Sequence, residues 1–269
     1  MDWIVGDLHG MVHTLKRLVE RVASRDAAPR FVFVGDYADR GPFSRALVDD
    51  LLAFPFPAEF LRGNHDDVID YLLNGQCCSE LSELMIGRMT PGNVCAWWLE
   101  NGFYATMASY GVADSPDTKG AYGWFDYTPV AEAFRAAVPE THKQFYRGLK
   151  VFWENETHFA CHGFWRPDVK LPRNLAAPSK EVCTDVLWMR FQGSSTRGIE
   201  SGVPVWDKIG VFGHTPVEVY GSVDMVRFPK MRLIDTGAWL GRKLTAYCCQ
   251  TDGAVEQAVV AEDRTQGAG

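Results

Sequence analysis

Short apolar runs that end in glycine plus a polar residue recur along this chain. Trp3-Ile4-Val5 runs into Gly6-Asp7, Arg30-Phe31-Val32-Phe33-Val34 into Gly35-Asp36, and Glu59-Phe60-Leu61-Arg62 into Gly63-Asn64-His65. Between the first two, Met11, Leu15, Leu18 and Val22 repeat at helical spacing, with Val12 and Val19 beside them. After the second, Pro42 suits a first helical turn, and Phe43, Leu47 and Leu51 follow at i, i+4 and i+8. This alternation predicts βαβ units, which gather ligand-binding groups at the carboxyl ends of their strands.

From about residue 72 to residue 150 the pattern changes to helical, aromatic-rich pieces such as Cys95-Ala96-Trp97-Trp98-Leu99. They are broken by the loop-like stretches Asn74-Gly75-Gln76 and Ser115-Pro116-Asp117-Thr118-Lys119-Gly120. We read a helical insertion covering one edge of a site, in which Trp97 and Trp98 pack rather than bind. Strands then return. His158-Phe159-Ala160-Cys161 ends in His162-Gly163, Lys208-Ile209-Gly210-Val211-Phe212 in Gly213-His214, and Arg232-Leu233-Ile234 in Asp235-Thr236-Gly237. Lys243 to Gln250 and Ala254 to Val260, joined by Thr251-Asp252-Gly253, predict a closing hairpin. The tail 262–269 is expected to fray. With no repeat or linker, a single domain over 1–269 is expected.

Composition narrows the classes. Of 269 residues, 46% are hydrophobic and 23% charged, which is ordinary for a globular chain and excludes disorder or coiled coil. A net charge of −7 disfavours a nucleic-acid partner, which needs a basic face. It does not exclude a phosphate ester, because bound cations reverse local charge. No apolar run is long enough for a membrane span, and the start, which meets an acid at Asp2, is not expected to act as a signal peptide. The seven cysteines contain no CxxC pair, so buried thiols in a reducing cytoplasm are expected.

The polar residues at the strand ends are Asp7 and His9, Asp36 and Asp39, Asn64 and His65, His162, and His214. Such residues suit divalent manganese, iron or zinc. Asp7 and His9 are two apart, so an extended chain points both the same way. Asp36 could bridge to a second cation completed by Asn64, His162 and His214. One aspartate after a strand is usually a turn residue, and His13, His142 and His158 read as ordinary structural histidines. Joint occurrence beside glycine at five strand ends is what argues for a two-metal site that clamps a phosphoryl group.

Gly6-Asp7-Leu8-His9-Gly10, Gly35-Asp36-Tyr37-Ala38-Asp39-Arg40-Gly41 and Leu61-Arg62-Gly63-Asn64-His65-Asp66 together resemble the signature of calcineurin-like metallophosphoesterases. GDYxDRG with LRGNH resembles the phosphoprotein phosphatase branch, in its bacterial form. His162-Gly163 and Gly213-His214-Thr215-Pro216 match the later blocks. The resemblance spans roughly Asp2 to Tyr247 and implies an α/β fold, a two-sheet β-sandwich flanked by helices. It implies that Asp7, His9 and Asp36 hold one metal, and Asp36, Asn64, His162 and His214 the other. His65 would be the general acid and Asp39 its orienting partner. Arg40 would bind phosphate oxygens, joined by Arg190 from Leu187-Trp188-Met189-Arg190, whereas Arg62 would be structural.

Pro216 stands where many family members carry a second histidine, which fits the phosphatase branch rather than phosphodiesterases or nucleases. Asp66 replaces a usual glutamate and could cap the next helix. His162-Gly163-Phe164 lacks a small residue common between His and Gly in bacterial relatives. The expected function is a metal-dependent phosphomonoesterase resembling serine/threonine protein phosphatases. A metal-bridging hydroxide would attack phosphorus directly, with two divalent ions, manganese foremost, and a phosphorylated protein or small phosphate ester as partner. The alternative is a dinucleoside polyphosphate hydrolase of the diadenosine tetraphosphatase type, although those enzymes commonly carry Ala in place of Asp39. A catalytically dead scaffold is disfavoured because every candidate ligand position is filled.

Overall fold

In the computed structural model, which describes residues 1–112, 126–168, 170, 178–191 and 204–264, two five-stranded sheets lie face to face. The first sheet orders β10 (Gly253–Ala258), β9 (Lys243–Cys248), β1 (Asp2–Val5), β2 (Arg30–Phe33) and β3 (Ala58–Phe60). The second orders β4 (Trp153–Glu154), β5 (His158–Cys161), β6 (Ile209–Phe212), β8 (Met231–Leu233) and β7 (Val226–Phe228). Each sheet holds three consecutive parallel strands, β1-β2-β3 at one edge of the first and β5-β6-β8 in the middle of the second, so their carboxyl ends point the same way. The hairpin β9–β10 closes the first sheet antiparallel to β1.

The two-residue period of a strand explains the layers. Ile4, Val32 and Val34 face inward and meet Ala160, Val211, Ile234 and Tyr247 between the sheets. Their neighbours Trp3, Val5, Phe31 and Phe33 face outward and pack under α1 (Val12–Ala23) and α2 (Ser44–Leu52). Phe159, Cys161 and Phe212 do the same on the far side, under α9 (Lys180–Trp188). At roughly 2 kcal/mol for each large side chain removed from water, these layers supply the main drive for the fold.

The expected strands and the first two helices form within a residue or two of their predicted bounds. The third strand stops at Phe60, and Leu61 pairs instead across an isolated bridge to Lys150. Edge strands β4 and β7 were not predicted, because two or three residues carry no readable alternation. Nor was α9, which starts at a Ser179 cap whose Oγ accepts the Val182 N–H at 3.3 Å.

The helical insertion is built from α4 (Glu80–Ile86), α5 (Pro91–Trp98), α6 (Phe103–Ser109), α7 (Thr128–Ala137) and α8 (Glu140–Gly148). Helix α3 (Asn64–Asn74) crosses its expected boundary at 72. The loop read at 115–120 lies outside the described residues. The tail is ordered further than expected, since Asp263 is buried and accepts backbone N–H groups of His13 and Thr14 at 3.1 and 2.5 Å. Those are orphan donors at the start of α1, so the tail caps that helix. Residues 265–269 lie outside the described set. All seven cysteines are free, and among the described residues no helix is long and apolar enough to cross a membrane.

Candidate metal centre

The residues after β1, β2, β5 and β6 meet because their loops bond to one another. Backbone N–H groups of Leu8 and His9 donate to the Asp36 carbonyl at 3.2 and 2.7 Å, and Gly10 N–H donates to Tyr37 at 3.0 Å. Asp66 sits in the first turn of α3 and accepts N–H groups from Asp36, Tyr37 and Gly63 at 2.8, 3.0 and 2.8 Å. It therefore caps its helix as expected and also fixes the Asp36 loop. Burial, then the neighbouring Asp36 charge, pushes its carboxyl up to about 7.

The backbone is strained where these loops converge. Six non-glycine residues among those described have positive φ, and five of them are His9, Asp36, Asp39, Arg40 and His214. Such φ values cost energy and persist where surrounding structure holds a functional arrangement. Two glycines make the approach possible. A Cβ on Gly63 would lie 2.0 Å from Asp36 Oδ1, and one on Gly213 would lie 2.1 Å from Asp7 Oδ1.

Asp36 is the hub. Its Oδ2 lies 3.4 Å from His9 Nε2, 3.4 Å from His162 Nε2 and 3.9 Å from His65 Nε2. Two buried triads with atoms spaced for a shared ion result: His9, Asp36 and His65, and Asp36, His162 and His214. Backbone carbonyls set the ring tautomers. His9 Nδ1 donates to Ala38 at 2.8 Å and His162 Nδ1 to Val34 at 3.1 Å, which leaves each Nε2 lone pair facing the hub. His214 Nε2 donates to the Trp188 carbonyl at 3.2 Å, leaving its Nδ1 as the free donor atom.

His162 Nε2 also lies 3.0 Å from Asn64 Oδ1. With Nδ1 donating, Nε2 and two oxygen atoms form a buried set of electron-pair donors that a proton or a cation satisfies. The electrostatics agree. Burial would push the His162 imidazole down, but the charges of Asp36 and Asp7 lift it to about 9. Burial would raise Asp36, yet His162, His65 and His9 hold it well below the usual carboxylate range. His9 and His214, dominated by burial, are held well below the usual imidazole range.

Asp7 accepts the His214 N–H at 3.0 and 3.2 Å and stands outside both triads, beside buried Asp235. Burial and the Asp235 charge raise it well above the usual carboxylate range. Uncharged or crowded carboxyls of this kind fit a site that becomes comfortable once positive charge is added.

Beside the hub, His65 Nδ1 lies 2.7 Å from Asp39 Oδ2. Asp39 is fully buried and also receives Trp98 Nε1–H on Oδ2 and Thr106 Oγ1–H on Oδ1, both at 2.7 Å. Trp98 packs its ring 4.9 Å from His65. Arg40 Nη2 lies 3.2 Å from His65 Nε2, and the guanidinium stacks 4.1 Å from the centre of the Trp239 ring. Arg190 is exposed at the rim, its Nη1 3.4 Å from the His214 carbonyl. Arg62 is buried away from the hub, bridging Asp67 at 3.1 Å and Asp70 at 2.9 Å, which is the structural role expected.

Sequence reasoning missed Trp98, Thr106, Trp239 and Asp235. The expectation that Trp97 and Trp98 merely pack holds for the Trp98 ring but overlooks its N–H. A tryptophan in an apolar run gives no sign of where its one donor points. Of the three histidines set aside, His142 bridges Tyr110 Oη and Asp49 at 2.8 and 2.9 Å, and His158 bonds Tyr247 Oη at 2.9 Å. His13 packs edge-on against Phe43, 5.1 Å between ring centres.

Residues 3–225 match the family model described as calcineurin-like phosphoesterase. The chain is 33% identical over 283 residues to a symmetrical bis(5'-nucleosyl)-tetraphosphatase of Legionella pneumophila strain Corby, covering 93% of this chain and 94% of the relative. It is 26% identical over 264 residues to the asymmetrical bis(5'-nucleosyl)-tetraphosphatase PrpE of Bacillus anthracis, covering 90% and 88%. Among solved structures, a candidate diadenosine tetraphosphatase superposes with a TM-score of 0.56 at 17% identity, covering 97% of this chain and 94% of that one. A cold-active protein-tyrosine phosphatase from a psychrophilic Shewanella gives 0.50 at 12% identity, covering 96% and 80%.

Proposed function

Because the chain belongs to the calcineurin-like phosphoesterase family, we propose that it hydrolyses phosphate esters with two divalent cations held around Asp36. In this reading Asp7, His9 and Asp36 hold one cation, and Asp36, Asn64, His162 and His214 the other. Bound there, the cations supply an activated water and neutralise charge on the phosphoryl group. Manganese suits the mixed histidine, asparagine and carboxylate donors, as do iron and zinc. Cytoplasmic residence is supported by the seven free thiols.

The carrying observation is the His65–Asp39 contact of 2.7 Å next to the Asp36 hub. Asp39 accepts the Nδ1–H and fixes the ring, so the acid proton is the one Nε2 carries once Arg40 Nη2, 3.2 Å away and itself only a donor, turns from it to the phosphate. As the oxygen of an attacking water, one of whose protons passes to solvent, bonds to phosphorus, the bond from phosphorus to the leaving oxygen breaks. Its electron pair stays on that oxygen, which takes the Nε2 proton. Arg40, and Arg190 from the rim, supply paired N–H groups for the phosphate oxygens.

A proton donor this well held is of most use to an alkoxide leaving group, which supports a phosphomonoesterase acting on alkyl phosphates such as phosphoserine or phosphothreonine. The names of the Legionella and Bacillus relatives favour a second reading, a dinucleoside polyphosphate hydrolase. The test is turnover of p-nitrophenyl phosphate, a phosphothreonine peptide and diadenosine tetraphosphate by chelator-treated and manganese-reloaded protein. Restored activity only with metal supports the reading. Undiminished turnover by the metal-stripped chain overturns it, and the two natural-type substrates decide between the readings.

A further inference from the structure

Next to Arg40 lies a cleft of about 280 Å³ whose chemistry the catalytic reading leaves unused. Its floor includes the buried side chains of Met11 and Val259. Trp239 and Leu240 form one wall, and Leu240 is 40% exposed despite being a leucine. Arg40, which reaches His65 at 3.2 Å, and Arg264 also line it, as does Asp263, whose carboxylate is engaged by the His13 and Thr14 N–H groups. Trp239 and Leu240 together give this cleft, which also contains Arg40 of the site, an apolar side that a ligand could cover.

We propose that this cleft receives the nucleoside end of a nucleoside polyphosphate on the leaving-group side of the site. The proposal rests on the dinucleoside polyphosphate reading above. In the proposed reaction His65 Nε2, 3.9 Å from Asp36 Oδ2, would face the leaving oxygen. Arg40 Nη2 is 3.2 Å from His65 Nε2, and the Arg40 guanidinium stacks at 4.1 Å on Trp239. Arg40 and Trp239 therefore link the His65 side of the site directly to the cleft they line.

The contents of the cleft select the class. An aromatic wall and an apolar floor favour a flat, uncharged ring, because any base presents a π-face to a stacking partner. Two lining arginines, Arg40 and Arg264, favour phosphates attached to that ring's sugar. The volume lies close to the roughly 300 Å³ lower end of small-molecule pockets, enough for one nucleoside and too small for a whole dinucleotide. A phosphopeptide offers no obligatory aromatic group at this place. The wall bearing Arg264 is fixed, because the preceding Asp263 is tied to the start of α1.

The experiment compares wild type with Leu240→Asp and Arg264→Glu, both at exposed positions where the fold should survive. The first readout is the ratio of kcat/KM for diadenosine tetraphosphate to that for p-nitrophenyl phosphate, which has no nucleoside. Each variant should lower this ratio about tenfold. The second readout is ADP binding by calorimetry, where Kd should rise about tenfold in each variant. A ratio and a Kd that both stay within twofold of wild type overturn the cleft assignment. Wild-type protein that turns over p-nitrophenyl phosphate but not diadenosine tetraphosphate overturns the dinucleoside reading. The ADP titration then still judges the cleft by itself.

Discussion

Asp39 Oδ2 accepts two hydrogen bonds of equal length, from His65 Nδ1 and from Trp98 Nε1, each 2.7 Å. With Thr106 on the other oxygen, every neighbour of this buried carboxylate is a donor. Asp39→Asn places an amide N–H₂ among donors and so disturbs the His65 ring orientation. Turnover of an alkyl phosphate should fall about 10²-fold or more, within the range for losing general acid catalysis. Turnover of p-nitrophenyl phosphate should fall much less, since its leaving group needs little protonation. Equal losses on both substrates would show that Asp39 does not act through His65.

Trp98→Phe isolates the second of those bonds. Phenylalanine keeps a ring against His65 but removes the N–H, leaving a buried carboxylate one donor short. We expect a stability loss of about 1–3 kcal/mol in denaturant unfolding. The ratio of alkyl to aryl phosphate turnover should also drop, in the same direction as for Asp39→Asn. A variant that loses stability yet keeps the wild-type ratio would reduce Trp98 to packing.

The site was legible in sequence to the extent that its atoms sit beside glycines at strand ends. Asp36 and His214 follow Gly35 and Gly213, and the loops there need close backbone approach, so the pairing of glycine with a donor is itself a structural requirement. The inner parallel strands were legible because their apolar runs are uninterrupted. What stayed hidden depends on direction rather than residue type. Trp98 and Trp239 look alike in an apolar context, yet one donates to Asp39 and the other carries the Arg40 guanidinium. Asp263 reads as tail, because nothing in a string of residues shows that a helix start more than 200 positions away lacks an acceptor.

Metal binding should appear as stability. A ligand that binds only the folded chain stabilises it by about 2.7 kcal/mol at a hundredfold excess over Kd, roughly 5 °C in Tm for a chain of this size. Adding manganese to the chelated protein should raise Tm by that order. Asp36→Asn should abolish the rise, because Asp36 belongs to both triads. Gly213→Ala should weaken it, since its Cβ would lie 2.1 Å from Asp7 Oδ1 and must displace that carboxylate or the strand end. A full manganese shift in the Asp36→Asn protein would sink the two-cation arrangement.

His158 gives a pH prediction away from the site. It is 3% exposed and carries a hydrogen bond on each ring nitrogen, to Tyr247 Oη at 2.9 Å and Thr157 Oγ1 at 2.8 Å. Tyr247 donates its own proton to Asp252 at 2.9 Å, so its oxygen accepts from His158 Nε2–H, and Nδ1 is the acceptor for Thr157. Burial, and then the Arg232 charge, lower the imidazole below its usual value of 6.5. The folded chain thus keeps His158 neutral where the unfolded chain protonates it. Since the unfolded state then binds more protons, stability rises with pH across that window, is fully present above about 6.5, and is lost as pH falls below it. His158→Gln should cost about 1–3 kcal/mol at pH 7.5 and clearly less at pH 5.5, read from urea unfolding of both proteins at both pH values. The same cost at the two pH values would mean that the neutral ring makes no pH-linked contribution to stability.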